Sequence, residues 1–376
     1  MKKVYKCLPA IIFVGFIVTM LVLFLVLPKK EYSSSEKRYL EQAPAFSFSS
    51  LLSGQFGEDF EKFLSDQTAG RNFWVGVSAY YQYCIGNNGA DGIYKCSDDY
   101  LVNDPDDMSG LMRNVGFIEE FAANCPVETT VLVAPSTGFV CEDILPKNHM
   151  EYRDDKEFPQ IKEALSSATF VDVRDLFKSE YAAGNQMYYK TDHHWTAYGA
   201  YTAYRELGKT LGYTPHEQGD YKVTEFTGFY GTTYSSSGFW LTPPDTVEVW
   251  DNPTNDSTII TTITDGGETT EQNDMFYLSH LEDDDKYPIY LDGNHPYTVI
   301  KNSAADSDKK LLVVKDSFAH SMVPYLADHY SEIIMVDLRY YTSPVSQIVT
   351  NEGIDQVLIL YSIDNLATDT GVAWIG

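Results

Sequence analysis

The hydrophobic pattern divides the chain into three stretches. From Leu8 to Leu27 runs an uninterrupted apolar segment of 20 residues. At about 1.5 Å rise per residue, a helix of that length spans roughly 30 Å, the thickness of a bilayer hydrocarbon core. From Leu51 to Ala79 apolar residues recur at helical spacing (Phe56, Phe60, Phe63, Leu64), which predicts amphipathic helices with a break near Gly70-Arg71. Between these two, Ser33 to Ser50 carries serine and charge without a sustained period and reads as a linker. From about Cys84 onward strand and helix patterns alternate.

That third stretch opens on a turn-rich hairpin candidate, Gly86 to Gly92, before Ile93-Tyr94. A helix is predicted at Gly110 to Asn124, then a β-branched strand at Glu128 to Ala134 (ETTVLVA) that stops at Pro135-Ser136. Helices are predicted at Phe158 to Ser167 and Trp195 to Leu211, the latter with Thr191 and Asp192 as capping candidates. Residues 224 to 288 are aromatic, Thr-rich, Gly-rich and acidic, and read as an inserted β-rich excursion. The alternation then resumes with strand KLLVV (310–314), a helix from Ala319 to His329, strand EIIMVD (332–337) and strand QVLILY (356–361). Repeats of this kind predict an α/β fold with a parallel sheet and helices on both faces, whose ligands bind beyond the carboxyl ends of the strands. The expected organisation is an anchor at 1–30, a linker and amphipathic segment at 31–83, and a main domain at 84–376 with its insertion at about 224–288.

The flanks decide how the apolar segment is read. A cleaved signal peptide has a shorter apolar region, about 7 to 15 residues, and ends in small residues. Here the run ends Leu27-Pro28-Lys29-Lys30 with no A-x-A pattern, so an uncleaved single-pass anchor is expected. Lys2, Lys3 and Lys6 precede it, and Lys29, Lys30, Lys37 and Arg38 follow. Basic residues at both ends weaken the positive-inside signal, but long domains translocate largely regardless of charge, so the main domain is expected to be extracytoplasmic. The formal charge of −27 argues against nucleic acid and against adhesion to anionic lipid, both of which need basic surface. Cys84, Cys96, Cys125 and Cys141 lie beyond the anchor. Spacings of 12 and 16 residues make Cys84 with Cys96 and Cys125 with Cys141 the simplest bridges. Free buried thiols are the equal alternative, because a domain of this size does not need staples.

Two short strings carry candidate chemistry. Ser317 follows KLLVV by two residues, at the head of a helix. A serine at a strand-to-helix turn is exposed at the sheet edge, near amides that can stabilise an oxyanion; a plain helix N-cap is the alternative. Lys190-Thr191-Asp192-His193-His194-Trp195-Thr196 places a carboxylate two residues from an imidazole, which supplies a base and the group that sets its tautomer. The alternatives are a polar helix start with solvated histidines, or a metal site built on Asp192 and the two histidines. A closed metal site needs further ligands, and His149, His216, His280 and His295 stand isolated while His320 and His329 fall in a predicted helix. No metal and no cofactor is therefore expected.

The strings DHHW and KDSF, with the opening Ser35-Glu36-Lys37-Arg38-Tyr39-Leu40 and Phe63 to Arg71, resemble the DHHW protein family, a relative of the SGNH-like polysaccharide O-acetyltransferases of alginate-modifying type. The resemblance covers nearly the whole exported chain. It implies a permuted SGNH-hydrolase-like fold in which Asp192 orients His194, His194 deprotonates Ser317, and Ser317 carries an acyl group as an ester. His193 falls between the motif positions. Asp316 matches the acid before the serine, and Lys315 stands where the wider pattern has Gly. Asn294, in Asp292-Gly293-Asn294, resembles an element that can supply an oxyanion amide, though the string is also strong turn sequence. Arg339, just past a strand, is a candidate for an acidic sugar or a partner of Asp337, and Trp195 joins Asp316, Asn294 and Arg339 as oxyanion or substrate candidates.

Aromatic residues make up 14% of the chain, and Tyr230, Tyr234, Phe239, Trp240 and Trp250 fall in the β-rich stretch. Their faces can stack on sugar rings or simply fill a core. The expected function is O-acetyl transfer to a cell-envelope or secreted polysaccharide, with a membrane-bound O-acyltransferase as the donor partner that the resemblance implies. A carbohydrate acetylesterase with the same three residues is the alternative, and a non-catalytic glycan-binding assembly protein the third reading.

Overall fold

The computed structural model describes residues 2–33, 38–255 and 258–376; Ser35, Glu36 and Lys37 of the opening motif lie outside them. The chain forms two compact units, residues 1–91 with 235–240, and residues 92–234 with 241–376.

The smaller unit begins with the helix Lys2–Val26, whose stretch Cys7–Val26 is long and apolar enough to cross a membrane. Helices Phe48–Ser53, Gln55–Gln67 and Arg71–Cys84 follow. The predicted break at Gly70 is present: its φ of 68° lies in the left-handed region that glycine enters without a Cβ penalty. Phe239 and Trp240 pack on the last of these helices. Trp240 stacks on Phe73 with ring centroids 5.7 Å apart, and Phe239 meets Tyr80 edge-on at 5.3 Å. One face of Trp240 and the whole of buried Phe239 are therefore spent on packing rather than offered to a sugar.

The larger unit is built on an eight-stranded sheet: β1 (Glu128–Ala134), β2 (Thr169–Val171), β3 (Ile259–Asp265), β4 (Glu268–Gln272), β5 (Tyr297–Asn302), β6 (Lys310–Lys315), β7 (Glu332–Val336) and β8 (Gln356–Ser362). Their order across the sheet is β4-β3-β5-β7-β6-β8-β1-β2. The five strands from β7 to β2 pair in parallel, and β5, β3 and β4 add to one edge antiparallel. The expected parallel core is thus present, and the second half of the β-rich stretch extends it. Strands Lys222–Phe229 and Asp245–Asp251 form a separate antiparallel hairpin.

Both faces of the sheet are covered, which is why its central strands are buried along nearly their whole length and apolar through their middles. Leu311, Val313, Leu358 and Leu360 face a core shared with helices Ala197–Leu211 and Ala319–Leu326. Leu312, Val314, Val357 and Ile359 face a second core with helices Leu111–Asn124, Asp154–Ala164 and Val345–Asn351.

Several sequence expectations are corrected. The helix predicted at 158–167 runs Asp154–Ala164. Acidic Asp154, Asp155 and Glu157 suit a helix start, while the Glu119 carboxylate captures the N–H groups of Ser166 and Ser167 at 2.9 and 3.0 Å and holds them outside the helix. The helix after KDSF ends at Leu326, short of His329. All five cysteines are free thiols, so neither bridge is present. Cys96 and Cys141 are core residues, and burial pushes the Cys96 thiol up to about 12. Trp250 is likewise a core residue, its ring 5.2 Å from that of Tyr201.

Candidate active site

The site is assembled where β6 runs out at the carboxyl edge of the sheet. Asp316 keeps the chain in register for one more residue by donating its N–H to Leu360 of β8 at 3.1 Å. Its buried carboxylate then gathers four donors: Phe318 N at 2.9 Å on Oδ1, and Ser362 N, Ser362 Oγ and Asn365 Nδ2 at 2.8, 3.0 and 2.8 Å on Oδ2. A carboxylate so occupied ties the ends of β6 and β8 together and fixes the turn; it has no role left as a base. Ser317 sits in that turn, and its own N–H has no acceptor among the described residues.

The opposing loop is closed by an isolated bridge between Tyr188 and Trp195, with Thr196 N donating to Met187 O at 2.9 Å. Thr196, not Thr191 or Asp192, caps the following helix: it accepts from Gly199 N at 3.1 Å, and the helix begins at Ala197. This correction matters chemically, because it leaves the Asp192 carboxylate available to face the histidine. Oδ1 of Asp192 accepts from His194 N at 3.0 Å and from His194 Nδ1. Oδ2 accepts from Thr232 N at 2.7 Å and Thr232 Oγ1 at 3.0 Å. Residue 231 must be glycine for this approach, since a Cβ there would lie 2.2 Å from the Asp192 Cβ. Below the loop, buried Asp245 accepts from Lys190 N at 3.1 Å and from Thr191 N and Oγ1 at 2.7 and 2.6 Å.

The two halves meet at one contact, Ser317 Oγ lying 2.7 Å from His194 Nε2. With Nδ1–H donating to Asp192, Nε2 is the free lone pair that accepts the serine O–H. The imidazole is held from the side as well. The Tyr287 ring stacks on it at 3.8 Å and 9°, while the Tyr287 hydroxyl donates to Ser317 O at 3.0 Å. Trp195 is buried, and its Nε1–H, shared between Phe318 O at 3.0 Å and Ser321 Oγ at 2.9 Å, fastens the loop to the turn. Trp195 therefore positions the two strings against each other. The His193 ring lies beside that of His194 with centroids 4.0 Å apart, and its Nδ1 is 2.7 Å from Thr232 Oγ1.

Behind the serine lies a buried charge network. Lys315 Nζ donates to Asp337 Oδ2 at 3.1 Å and lies 2.6 Å from His320 Nε2. Burial pulls the Lys315 ammonium down and the His320 imidazole far down, so His320 is neutral and accepts from Lys315. For Asp337 burial acts upward, but the Arg339 hydrogen bond and the charges of Lys315 and Arg339 outweigh it and hold the carboxyl low. Arg339 grips Asp337 through Nε and Nη2 at 2.8 and 2.6 Å, and its Nη2 also reaches Asn294 Oδ1 at 3.0 Å. Asn294 is exposed, and no hydrogen bond joins Asn294 or Arg339 to Ser317 or His194. At the adjacent end of β8, burial and the nearby Asp154, Asp106 and Asp316 raise the Asp364 carboxyl to about 8, and its Oδ1 has no hydrogen-bond partner among the described residues.

Sequence reasoning missed Tyr287, Thr232, Gly231 and Asp245. All four lie in the stretch 224–288 that reads as an excursion, tens of residues from either motif. The sequence Tyr230-Gly231-Thr232 carried one local signal, a glycine before a capping-type residue. A metal on Asp192, His193 and His194, whose ligand atoms lie within 4.8 Å of one another, would have to displace the hydrogen bonds that already occupy both Asp192 oxygens and His194 Nδ1.

Residues 169–336, which contain both strings, match the model of the DHHW protein family. No curated protein matches the chain in sequence. Among solved structures, a DHHW family protein from Eubacterium siraeum is 20% identical with a TM-score of 0.62, over 75% of this chain and 93% of that one. Bacillus cereus PatB1, solved with a sulfonyl adduct, is 23% identical with a TM-score of 0.65, over 77% of this chain and all of its own. The O-acetyltransferase domain of Pseudomonas putida AlgJ is 13% identical with a TM-score of 0.47, over 74% and 93%. The first two show that the fold is shared.

Proposed function

We propose that this chain, which carries a DHHW family segment at residues 169–336, is an O-acetyltransferase that modifies a cell-envelope or secreted polysaccharide through an acyl-enzyme on Ser317. The observation that carries the reading is the continuous alignment Asp192–His194–Ser317, with 2.7 Å between His194 Nε2 and Ser317 Oγ. In the first half-reaction Ser317 Oγ attacks the acetyl carbonyl of a donor ester as its proton passes to His194 Nε2. The oxyanion takes a hydrogen bond from the Ser317 N–H, the C–O bond to the donor breaks, and the departing oxygen receives the proton from His194. In the second half a sugar hydroxyl gives its proton to His194 and attacks the acetyl-serine ester. The acetyl group moves to the sugar, and Ser317 Oγ recovers its proton from His194.

Asp192 stays ionised throughout and stabilises the imidazolium. In this reading residues 1–30 anchor the protein in the cell membrane, 31–83 form the spacer, and 84–376 carry the chemistry on the extracytoplasmic side, near a membrane-bound O-acyltransferase that supplies acetyl. An acetylesterase would share the acyl-enzyme and differ only in using water as acceptor.

The test uses the full chain in detergent with p-nitrophenyl acetate, followed by intact mass. Gain of one acetyl group, or ester turnover, that is absent in Ser317→Ala supports the nucleophile, and a sulfonyl fluoride should label the parent and not the variant. Oligosaccharide acceptors that gain acetyl faster than free acetate appears support transfer, and free acetate alone supports the esterase. A parent protein that takes neither acetyl nor sulfonyl sinks the reading.

A further inference from the structure

At the amino-terminal end of the same parallel strands, three side chains that lie far apart in sequence converge. His216 lies in the loop after helix Ala197–Leu211, Asp306 lies before β6, and His329 follows helix Ala319–Leu326. One ligand atom from each lies within 4.8 Å of the other two. Asp306 Oδ2 is 2.9 Å from His329 Nδ1 and 3.7 Å from His216 Nε2. A fourth group, the buried carboxylate of Asp328, puts its Oδ2 3.9 Å from the same His216 nitrogen. An ion bound tetrahedrally at about 2.0–2.2 Å spaces its ligands at roughly 3.3–3.5 Å, so these separations bracket what such an ion imposes.

The support around the cluster is of the kind that orients metal-binding imidazoles. His329 Nε2 lies 2.7 Å from the Tyr204 hydroxyl, whose oxygen also accepts the His216 N–H at 2.9 Å. Asp306 Oδ2 accepts from His329 Nδ1–H while the Tyr204 O–H donates to Nε2; an ion on Nδ1 takes the place of that proton, and the Nε2–H tautomer it selects is held by the Tyr204 oxygen. The His329 ring stacks on Tyr213 at 4.4 Å and on His216 at 5.1 Å. Asp306 is 59% exposed and His216 29%, while His329 and Asp328 are buried, so an ion has a route in and a closed floor beneath it. Two imidazoles with carboxylate oxygen suit Zn²⁺ and its neighbours, whereas Ca²⁺ and Mg²⁺ take oxygen almost throughout.

We propose that His216, Asp306 and His329, with Asp328 beside them, form a binding site for a divalent transition-metal ion, Zn²⁺ by preference. The ion clips the start of β6 and the end of helix Ala319–Leu326 to the end of helix Ala197–Leu211. It thereby braces from below the strand–turn–helix that carries Ser317 at its far end. The site is independent of the acetyl-transfer reading.

The experiment is to strip the full-length protein with chelator and titrate it with Co²⁺, watching for the visible absorption of a tetrahedral nitrogen–oxygen site. Zn²⁺ stoichiometry is then measured by elemental analysis after dialysis, and Tm with and without Zn²⁺. The expected result is one ion per chain, a Tm raised by a few degrees, and loss of both in His216→Gln and in Asp306→Asn. Asp306 is largely exposed, so Asp306→Asn should fold and keep the metal-free Tm. His194→Gln should retain the ion. Absence of binding in the parent, or binding lost in His194→Gln and kept in Asp306→Asn, overturns the proposal.

Discussion

The two ends of β6 place the same residue types in similar contact and set them different tasks. At the carboxyl end, His194 gives Nδ1 to Asp192 and points Nε2 at a serine hydroxyl 2.7 Å away in a tight turn. At the amino end, His329 meets Asp306 with Nδ1 and a tyrosine hydroxyl with Nε2, also at 2.7 Å. A histidine beside a carboxylate is therefore not by itself a catalytic signal. What separates the two is the group on the second nitrogen. A primary hydroxyl beside an uncommitted backbone N–H can accept an acyl group, whereas a phenol buried under stacked rings holds a ring still.

The largest expected contrast comes from removing each carboxylate's charge. Asp192→Asn should lower ester turnover by about 10³-fold or more, because the amide no longer fixes the His194 tautomer or stabilises its charged form. Asp306→Asn should leave turnover unchanged in the metal-free protein. Steady-state kinetics with p-nitrophenyl acetate read both, and a change of only a few fold in Asp192→Asn removes the basis for distinguishing the two ends.

A smaller contrast concerns the tyrosines. Tyr287→Phe keeps the ring on His194 and removes one hydrogen bond to Ser317 O, worth about 1 kcal/mol, so kcat should fall roughly fivefold. Tyr204→Phe should leave kcat alone. Equal effects from the two would mean that Tyr287 acts through the fold and not through the serine turn.

The last contrast is in stability and its pH dependence, not in turnover, and it belongs to the carboxyl end. Burial raises the Asp364 carboxyl in the fold to about 8, well above the ordinary aspartate value of about 4. Between those two the folded state holds a proton that the unfolded state has lost, so stability is highest below about 4 and falls as pH rises through 8. Asp364→Asn keeps a neutral side chain at every pH and should flatten that slope. Urea unfolding at pH 6 and pH 9 checks it: the variant should gain on the parent at pH 9, and parallel midpoints would mean that the carboxyl ionises freely in the fold.

Much of the architecture is written locally. Runs such as Glu128–Ala134 and Gln356–Ser362 carry unbroken apolar stretches without alternation because both faces are covered, and their extents were legible to within a residue. The 20-residue apolar run and the two motif strings needed no tertiary information either. Local pattern fails where a distant group competes for the backbone. Glu119 takes Ser166 and Ser167 out of a predicted helix, and Thr196 supplants Thr191 and Asp192 as the cap. Cysteine pairing was undetermined for a related reason: spacing limits which bridges can close, but the fold decides which thiols meet, and it leaves Cys84 at the surface while Cys96 and Cys141 lie in the core.

By itself, then, the sequence determined the alternation that makes a parallel sheet, the apolar helix near the start, and the residue types of the Asp192-His193-His194 and Asp316-Ser317 strings. Only the tertiary structure decided what those residues meet. Hydrophobic periodicity acts over a few residues, whereas a hydrogen bond such as His194 to Ser317 joins positions 123 apart in the chain. Tyr287, Thr232 and Asp245 reach the site, and His216, Asp306 and His329 reach one another, because sheet order and helix packing bring them there, and neither leaves a period in the sequence.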